Sequence, residues 1–313
     1  MANLTRTWFF LCRPWSITAT VVPAFFVAGF AGGAPHFSWW RWALALVAAL
    51  PLQIACNLLN TWGDDRSGVD AVEGAVVTTP QLREGLVTSR QVFLAATGCL
   101  AATCVFGIPL LFFRQSTGLE INSGVMLAAA IGFLGATNYA TGIKFKYHGL
   151  GVPFVFFLMG SVECFGFLAA SAPGVSIPIV FLLATLPVNC LVAVIMHGND
   201  MRDIDTDSAA GITTTASALG PRFALWLYCA LHLVPHVFCL AACAVSVQGK
   251  GCCAFAWLLP LAAIPLTVKT LSCAIRVYRS NPTHPPWRGL ERASGGIHCI
   301  FGILYALAIF LAR

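Results

Sequence analysis

The sequence predicts an all-α fold, a polytopic membrane bundle of about nine transmembrane helices forming a single domain over residues 1–313. Three observations lead there. Of the 313 residues, 58% are hydrophobic and only 10% charged, whereas a soluble domain carries about 25% charged residues and a fold of this size has too little interior to hide the excess apolar surface. The apolar residues come in long unbroken runs and do not alternate, which favours spanning helices over a closed barrel. Finally, Lys and Arg fall mostly on one side of the implied bundle, the usual bias of membrane helices.

Nine apolar runs fall near 15–33, 38–62, 91–113, 123–142, 151–172, 176–199, 223–246, 253–276 and 296–312. Each is close to the ~20 residues needed to cross the hydrocarbon. Short polar or Gly/Pro-bearing stretches separate them, as at Gly32-Gly33-Ala34-Pro35 and Ser171-Ala172-Pro173-Gly174. Pro51, Pro187 and Pro260 lie within runs and are expected to kink them. With the N-terminus inside, 13 of the 18 Lys and Arg fall inside, Lys269 lies within a run, and only Arg41, Arg114, Lys250 and Arg313 fall outside. That orientation requires an odd number of spans, and puts the N-terminus on the cytoplasmic side of a bacterial inner membrane or a eukaryotic organelle membrane. No cleavable signal is evident, because the first apolar run is long and lacks a small-residue cleavage site.

The 13 cysteines mostly sit inside apolar runs, where cysteine acts as a small hydrophobe. Cys252-Cys253 is not a zinc spacing, no CxxC occurs, and neither a disulfide framework nor a cysteine metal site is implied. The net charge of +6 has no basic cluster fit for nucleic acid. Trp39, Trp40 and Trp287 read as interfacial anchors.

Acidic residues are few and crowded. Seven of the twelve lie in two short segments, Asp64, Asp65 and Asp70 after the second run and Asp200, Asp203, Asp205 and Asp207 after the sixth, both on the inside. Ionisable groups so placed in a membrane protein are functional candidates. If the helices continue, Asn60 and Asp64 are i,i+4 with Asn57 a turn earlier, and Gly68 permits a turn that folds Asp70 back. Asn199, Asp203 and Asp207 form a second i,i+4 stripe, while Asp65 and Asp205 point off the stripes. The alternative, ordinary solvated loop charges, fits a lone acid better than two facing stripes. Amide and carboxylate oxygens of this kind suit Mg²⁺, which favours sites completed by substrate phosphates. Two such stripes would repel unless cations and a diphosphate lay between them, with Lys146 and Arg202 as further phosphate donors.

These segments resemble the UbiA superfamily of intramembrane aromatic prenyltransferases. Asn60, Asp64 and Asp70 match its Asn-Asp-x-x-Asp-type motif, with Thr61 where many members have Asp, and Asp203 with Asp207 matches its Asp-x-x-x-Asp motif. Arg13-Pro14-Trp15-Ser16, the stretch Lys144 to Gly151, and Arg202 to Asp207 followed by Ala210-Gly211 are similar to the menaquinone branch with its animal vitamin K relatives. The resemblance spans roughly residues 10–220. Two stretches depart from the pattern: Ile212-Thr213-Thr214-Thr215 lacks a basic residue common after Ala-Gly, and Thr78 to Gly85 matches loosely.

The resemblance implies transfer of a polyprenyl group from its diphosphate to an aromatic acceptor, 1,4-dihydroxy-2-naphthoate being the expected one, with 4-hydroxybenzoate or homogentisate as alternatives. It implies two Mg²⁺ ions held by Asn60, Asp64, Asn199, Asp203 and Asp207, with Asp64, Asp203 and Asp207 essential to turnover. Asn57, Asp70, Lys146, Arg202, Tyr139 and Arg13 are the implied substrate-binding residues. Tyr139, Phe145 and Tyr147 are candidates to face an allylic cation, and the polyprenyl tail would lie along apolar helix faces open to the lipid bilayer. A divalent-cation transporter is the alternative of another class; it would favour acid clusters at the midplane of broken helices. A phosphatidyl-alcohol transferase would need a longer acidic motif that is missing. Glu163, mid-run, is a functional hint. His148 and His197 adjoin the motifs and are candidates for substrate contact, whereas His232, His236 and His298 lack neighbouring ligand types and read as packing.

Overall fold

A computed structural model describes residues 4–68, 79–116 and 118–312, the side chains of 248–252 excepted. Asp70 lies outside the described residues. Among the described residues, thirteen α-helices follow one another: α1 (Leu4–Leu11), α2 (Thr18–Ala31), α3 (Trp39–Ser67), α4 (Ser89–Gly107), α5 (Ser123–Asn138), α6 (Gly151–Val155), α7 (Glu163–Ser171), α8 (Ile179–Ala184), α9 (Leu186–Arg202), α10 (Ile204–Ala209), α11 (Thr215–Lys250), α12 (Ile264–Ser280) and α13 (Leu290–Leu311). A hairpin of β1 (Phe112–Gln115) and β2 (Gly118–Ile121) sits between α4 and α5. Among the described residues, seven helical stretches are long and apolar enough to span a membrane, and the pair α1–α2, bent by 47°, makes an eighth. The apolar α5, at 16 residues, is shorter than a span, so seven or eight spans stand against the nine expected, and the count of about nine is approximate.

Local chemistry sets the boundaries. Thr88 and Gln91 form a reciprocal capping box at the start of α4, and the Asn122 side chain accepts from the Val125 amide to start α5. Gly68, in the left-handed conformation, ends α3. Pro187 does not kink the sixth span as expected: it stands in the first turn of α9, where a missing N–H costs nothing. Arg13 breaks the first span, and α2 begins only at Thr18.

α9 is enclosed by α6, α11 and α13 and is buried without interruption from Val188 to Val194, as a helix at the centre of a bundle must be. The outer faces carry bare apolar side chains such as Phe157, Trp226 and Val245, the surface a lipid environment requires. The described cysteines are all free.

Three side chains depart from expectation. Arg41, read as an outside topology charge, is buried and donates to the carbonyls of Leu110, Phe112 and Ala170 at 2.7–2.9 Å, tying α3 to the hairpin and to α7. Trp287 is no interfacial anchor. It is 1% exposed, its indole N–H donates to the Ala274 carbonyl, and its ring stacks on Tyr278. His197 is fully buried with Nε2 2.8 Å from the Ala224 carbonyl, packing α9 on α11. His232, His236 and His298 are buried within the bundle, in keeping with packing roles.

Candidate active site

The site begins at the break before α2. The Asn57 amide donates to the Cys12 carbonyl (3.0 Å) and to Ser16 Oγ (2.8 Å), which holds the short turn Pro14–Ser16 against α3. Arg13, in that turn, has φ of 50°. A left-handed non-glycine residue costs of order 1–3 kcal/mol and is found where surrounding structure imposes it. Its guanidinium reaches α3, where Nη2 donates to Thr61 Oγ1 at 3.2 Å. With the Asn60 amide turned to suit its neighbours, Arg13 Nη1 donates to Asn60 at 3.3 Å and Asn60 donates to Asp64 Oδ2 at 3.2 Å. Thr61, the departure from the family motif, shares a hydrogen bond with Thr79 Oγ1 at 3.0 Å.

α3 runs on to Ser67, so Asn57, Asn60 and Asp64 do share one face. Gly63 lets this end of α3 touch the chain after α5; a Cβ there would lie 2.5 Å from the Ala140 carbonyl oxygen. That approach delivers Asp64 to the loop 144–150. Lys146 Nζ lies 3.0 Å from both Asp64 oxygens, and the Tyr147 hydroxyl donates to Oδ1 at 2.6 Å. Lys144, also left-handed with φ of 59°, donates to Ser67 Oγ.

The second acidic segment is not one continuous stripe. α9 stops at Arg202, Asp203 takes a non-helical conformation, and α10 starts at Ile204. Arg202 holds the bend: its Nε and Nη2 grip the two Asp203 oxygens at 2.7 and 2.5 Å, Nη2 also donates to Asn199 Oδ1 at 2.9 Å, and Nη1 to Glu291 Oε1 at 3.4 Å. Asp207 is buried at 4% exposure, whereas Asp65 and Asp205 face outward, Asp205 beside His284. Asp200, in the last turn of α9 ahead of the bend, faces inward. It is 1% exposed, and neither oxygen meets a hydrogen-bond partner of good geometry, the Thr215 backbone and Lys146 being the groups that attract it.

The two clusters meet at Lys146. Burial pulls its ammonium down, and Asp64, Asp207 and Asp200 outweigh that, so its pKa stands above the ordinary lysine value. Burial pushes the Asp207 carboxyl up to about 7, with Asp203 and Asp64 adding to the rise and Lys146 opposing it. The missing basic residue near 212–215 has a structural counterpart. Thr213 pairs through its backbone with Tyr147 and Gly149, and Thr215 Oγ1 donates to the Gly149 carbonyl, clipping the loops together. Gly151 completes the closure, since a Cβ there would press on the Tyr139 hydroxyl at 3.1 Å.

The donor set is hard oxygen throughout. Among the described residues no three His, Cys, Asp or Glu side chains converge into a complete cage. Magnesium does not need one, because one or two carboxylates with substrate phosphates suffice. Asp200's unpartnered oxygens and the Asp64 carboxylate, held here by the Lys146 ammonium, therefore fit a divalent cation.

Beside the clusters lies a cavity of about 360 Å³. Arg13, Asn57, Asn60, Tyr139 and Asn199 line its polar end, and Leu52, Phe133, Phe154, Leu158 and Met196 its walls. Sequence reasoning passed over Asp200 as an oxygen donor, Tyr147 as a partner of Asp64, and Glu291. Asp200 stands off the stripe of Asn199, Asp203 and Asp207, and its burial becomes visible only in the packed bundle.

The chain matches the UbiA prenyltransferase family over residues 20–294. It is 28% identical over 306 residues to UbiA prenyltransferase domain-containing protein 1 of Mus musculus, covering 96% of this chain and 82% of that protein. The protein of the same name from Xenopus tropicalis is 27% identical, covering 98% of this chain and 82% of that protein. Among solved structures, a UbiA homolog from Archaeoglobus fulgidus bound to GPP and Mg²⁺ superposes with a TM-score of 0.60 at 18% identity, covering 97% of this chain and 99% of that one. A UbiA homolog from Aeropyrum pernix K1 gives 0.57 at 20% identity, covering 99% and 98%.

Proposed function

The chain belongs to the UbiA prenyltransferase family and is a multi-pass membrane prenyltransferase, and from that premise we propose that its acceptor is an aromatic ring, 1,4-dihydroxy-2-naphthoate first among candidates, in (demethyl)menaquinone or vitamin K biosynthesis. The observation that carries this reading is the meeting of two acidic clusters around Lys146, beside an apolar cavity. The naphthoate assignment rests on the Arg13–Ser16, Lys144–Gly151 and Arg202–Asp207 segments. The lipid-facing orientation, with the N-terminus and acidic clusters on the cytoplasmic side, rests on the Lys/Arg bias.

Asn60, Asp64, Asn199, Asp203 and Asp207 would hold magnesium, as the bound archaeal homolog makes reasonable, and Asp200 is a further oxygen donor at that place. Bound magnesium neutralises charge developing on the departing diphosphate. Lys146 moves its ammonium from Asp64 to a phosphate, and Arg202 and Arg13 supply charge-assisted donors to the others. The C1–O bond of the prenyl donor breaks with its electron pair leaving on diphosphate. The resulting allylic cation faces Tyr139, Phe145 and Tyr147, whose ring faces stabilise positive charge. A ring carbon of the acceptor donates its π electrons to form the new C–C bond and then loses a proton, or carbon dioxide from a carboxyl-bearing carbon. The apolar cavity takes the tail and excludes water that would otherwise capture the cation.

The test is an assay in nanodiscs with geranylgeranyl diphosphate, the naphthoate and Mg²⁺, reading product by mass. Product that disappears with EDTA is expected, with Asp64→Ala, Asp203→Ala and Asp207→Ala losing at least about 100-fold in rate, and Asp205→Ala within about twofold, as surface changes usually are. Near-normal turnover in any of the first three contradicts the shared site. Activity with a different aromatic acid, and none with the naphthoate, moves the acceptor assignment.

A further inference from the structure

One carboxyl in the cavity takes no part in the phosphate chemistry. Glu163 lines the cavity and keeps Oε2 buried without a partner. A carboxyl in an apolar wall costs several kcal/mol unless it is hydrogen-bonded, and an isoprenoid tail offers it nothing.

Its placement comes from a local irregularity. Residues Phe156–Val162 form a π-helical turn between α6 and α7, and Glu163 is the first residue after it. Such a turn accommodates an extra residue and rotates the helix beyond it, and it is frequent at functional sites. The turn is pinned from α9, where the Asn189 amide donates to Ser161 Oγ at 2.7 Å. Glu163 lines the same cavity as Arg13, Asn57 and Asn60 of its polar end, so a ring bound in that cavity has access to both.

We infer that Glu163 binds the acceptor: its free oxygen accepts the hydrogen bond of a phenolic hydroxyl, holds the ring across the path of the donor's C1, and selects for acceptors with a hydroxyl at that edge. The inference rests on the proposed prenyl transfer and deepens it. Glu163→Gln and Glu163→Met are compared with wild type, measuring initial rates against donor and acceptor separately, with 1,4-dihydroxy-2-naphthoate and its monomethyl ethers.

Glu163→Met raises acceptor KM about tenfold, the loss expected when a buried hydroxyl is left without its partner, and leaves donor KM within twofold. Glu163→Gln, nearly isosteric, donates as well as accepts, so the preference for hydroxyl over methyl ether falls about tenfold. Equilibrium binding of an unreactive prenyl diphosphate analogue reports whether each variant is folded. A Glu163→Gln enzyme with unaltered hydroxyl preference overturns the inference, as does a change in donor KM in place of acceptor KM. If wild type transfers to no aromatic acceptor, the proposed function falls and takes this inference with it; if wild type transfers and the variants match it, only the inference falls.

Discussion

Lys146 is buried between carboxylates from two separate stretches of chain, and its contact with Asp64 has both side chains at 10% exposure or less. Breaking a buried pair by removing one partner leaves the other uncompensated and costs about 3–5 kcal/mol. Lys146→Met is therefore expected to lower the melting temperature of the ligand-free protein in detergent, and Mg²⁺ with inorganic diphosphate to restore part of it. An unchanged melting temperature would mean the acidic clusters do not repel in its absence. At this scale the sequence was most readable where chemistry was scarce. Acids are rare in this chain, so Asp64, Asp203 and Asp207 stood out, and the outward positions of Asp65 and Asp205 followed from helical phase. Asp200 escaped because it lies one residue off the Asn199–Asp203–Asp207 stripe, and only the packing around α9 shows that its side of the helix is buried. Arg41 and Trp287 escaped because a charge at a helix end and a tryptophan near one have two outcomes, solvent or burial, which long-range partners decide.

Helices meet at points with no room for a side chain. Gly63 is such a point, and substituting alanine would force the end of α3 away from the Ala140 carbonyl. Gly63→Ala should lower thermal stability and turnover together, because the displaced helix carries Asp64. Gly98 lies on α4 with nothing within 4 Å of the place a Cβ would occupy, so Gly98→Ala should match or slightly exceed wild type in melting temperature, in line with the about 0.5–1 kcal/mol helical preference of alanine. Equal behaviour of the two variants would contradict the close approach. The apolar runs marked most helices because lipid demands continuity. The hairpin at 112–121, the π-helical turn at 156–162 and the break at Arg13 were not legible, since each is held from a distant segment, by Arg41, Asn189 and Asn57 respectively.

Across the whole molecule, the bundle brings two acidic clusters to the end of one apolar cavity, and its exposed apolar exterior suits a membrane. Family membership and the helical fold were readable from the motifs and the runs together. The choice of acceptor was not, because it rests on a few cavity side chains such as Glu163 that no motif encodes. The clusters should act as one site, since Lys146 binds Asp64 of the first and is attracted by Asp207 and Asp200 of the second. The most direct measurement is calorimetric binding of a thio-substituted geranylgeranyl diphosphate to the purified protein in nanodiscs, with Mg²⁺ and with EDTA, for wild type, Asp64→Ala and Asp203→Ala. Binding that requires Mg²⁺ and weakens at least about tenfold in each variant, the loss of one charge-assisted contact, is the predicted result. Tight binding that ignores both EDTA and the two substitutions would contradict the shared diphosphate site.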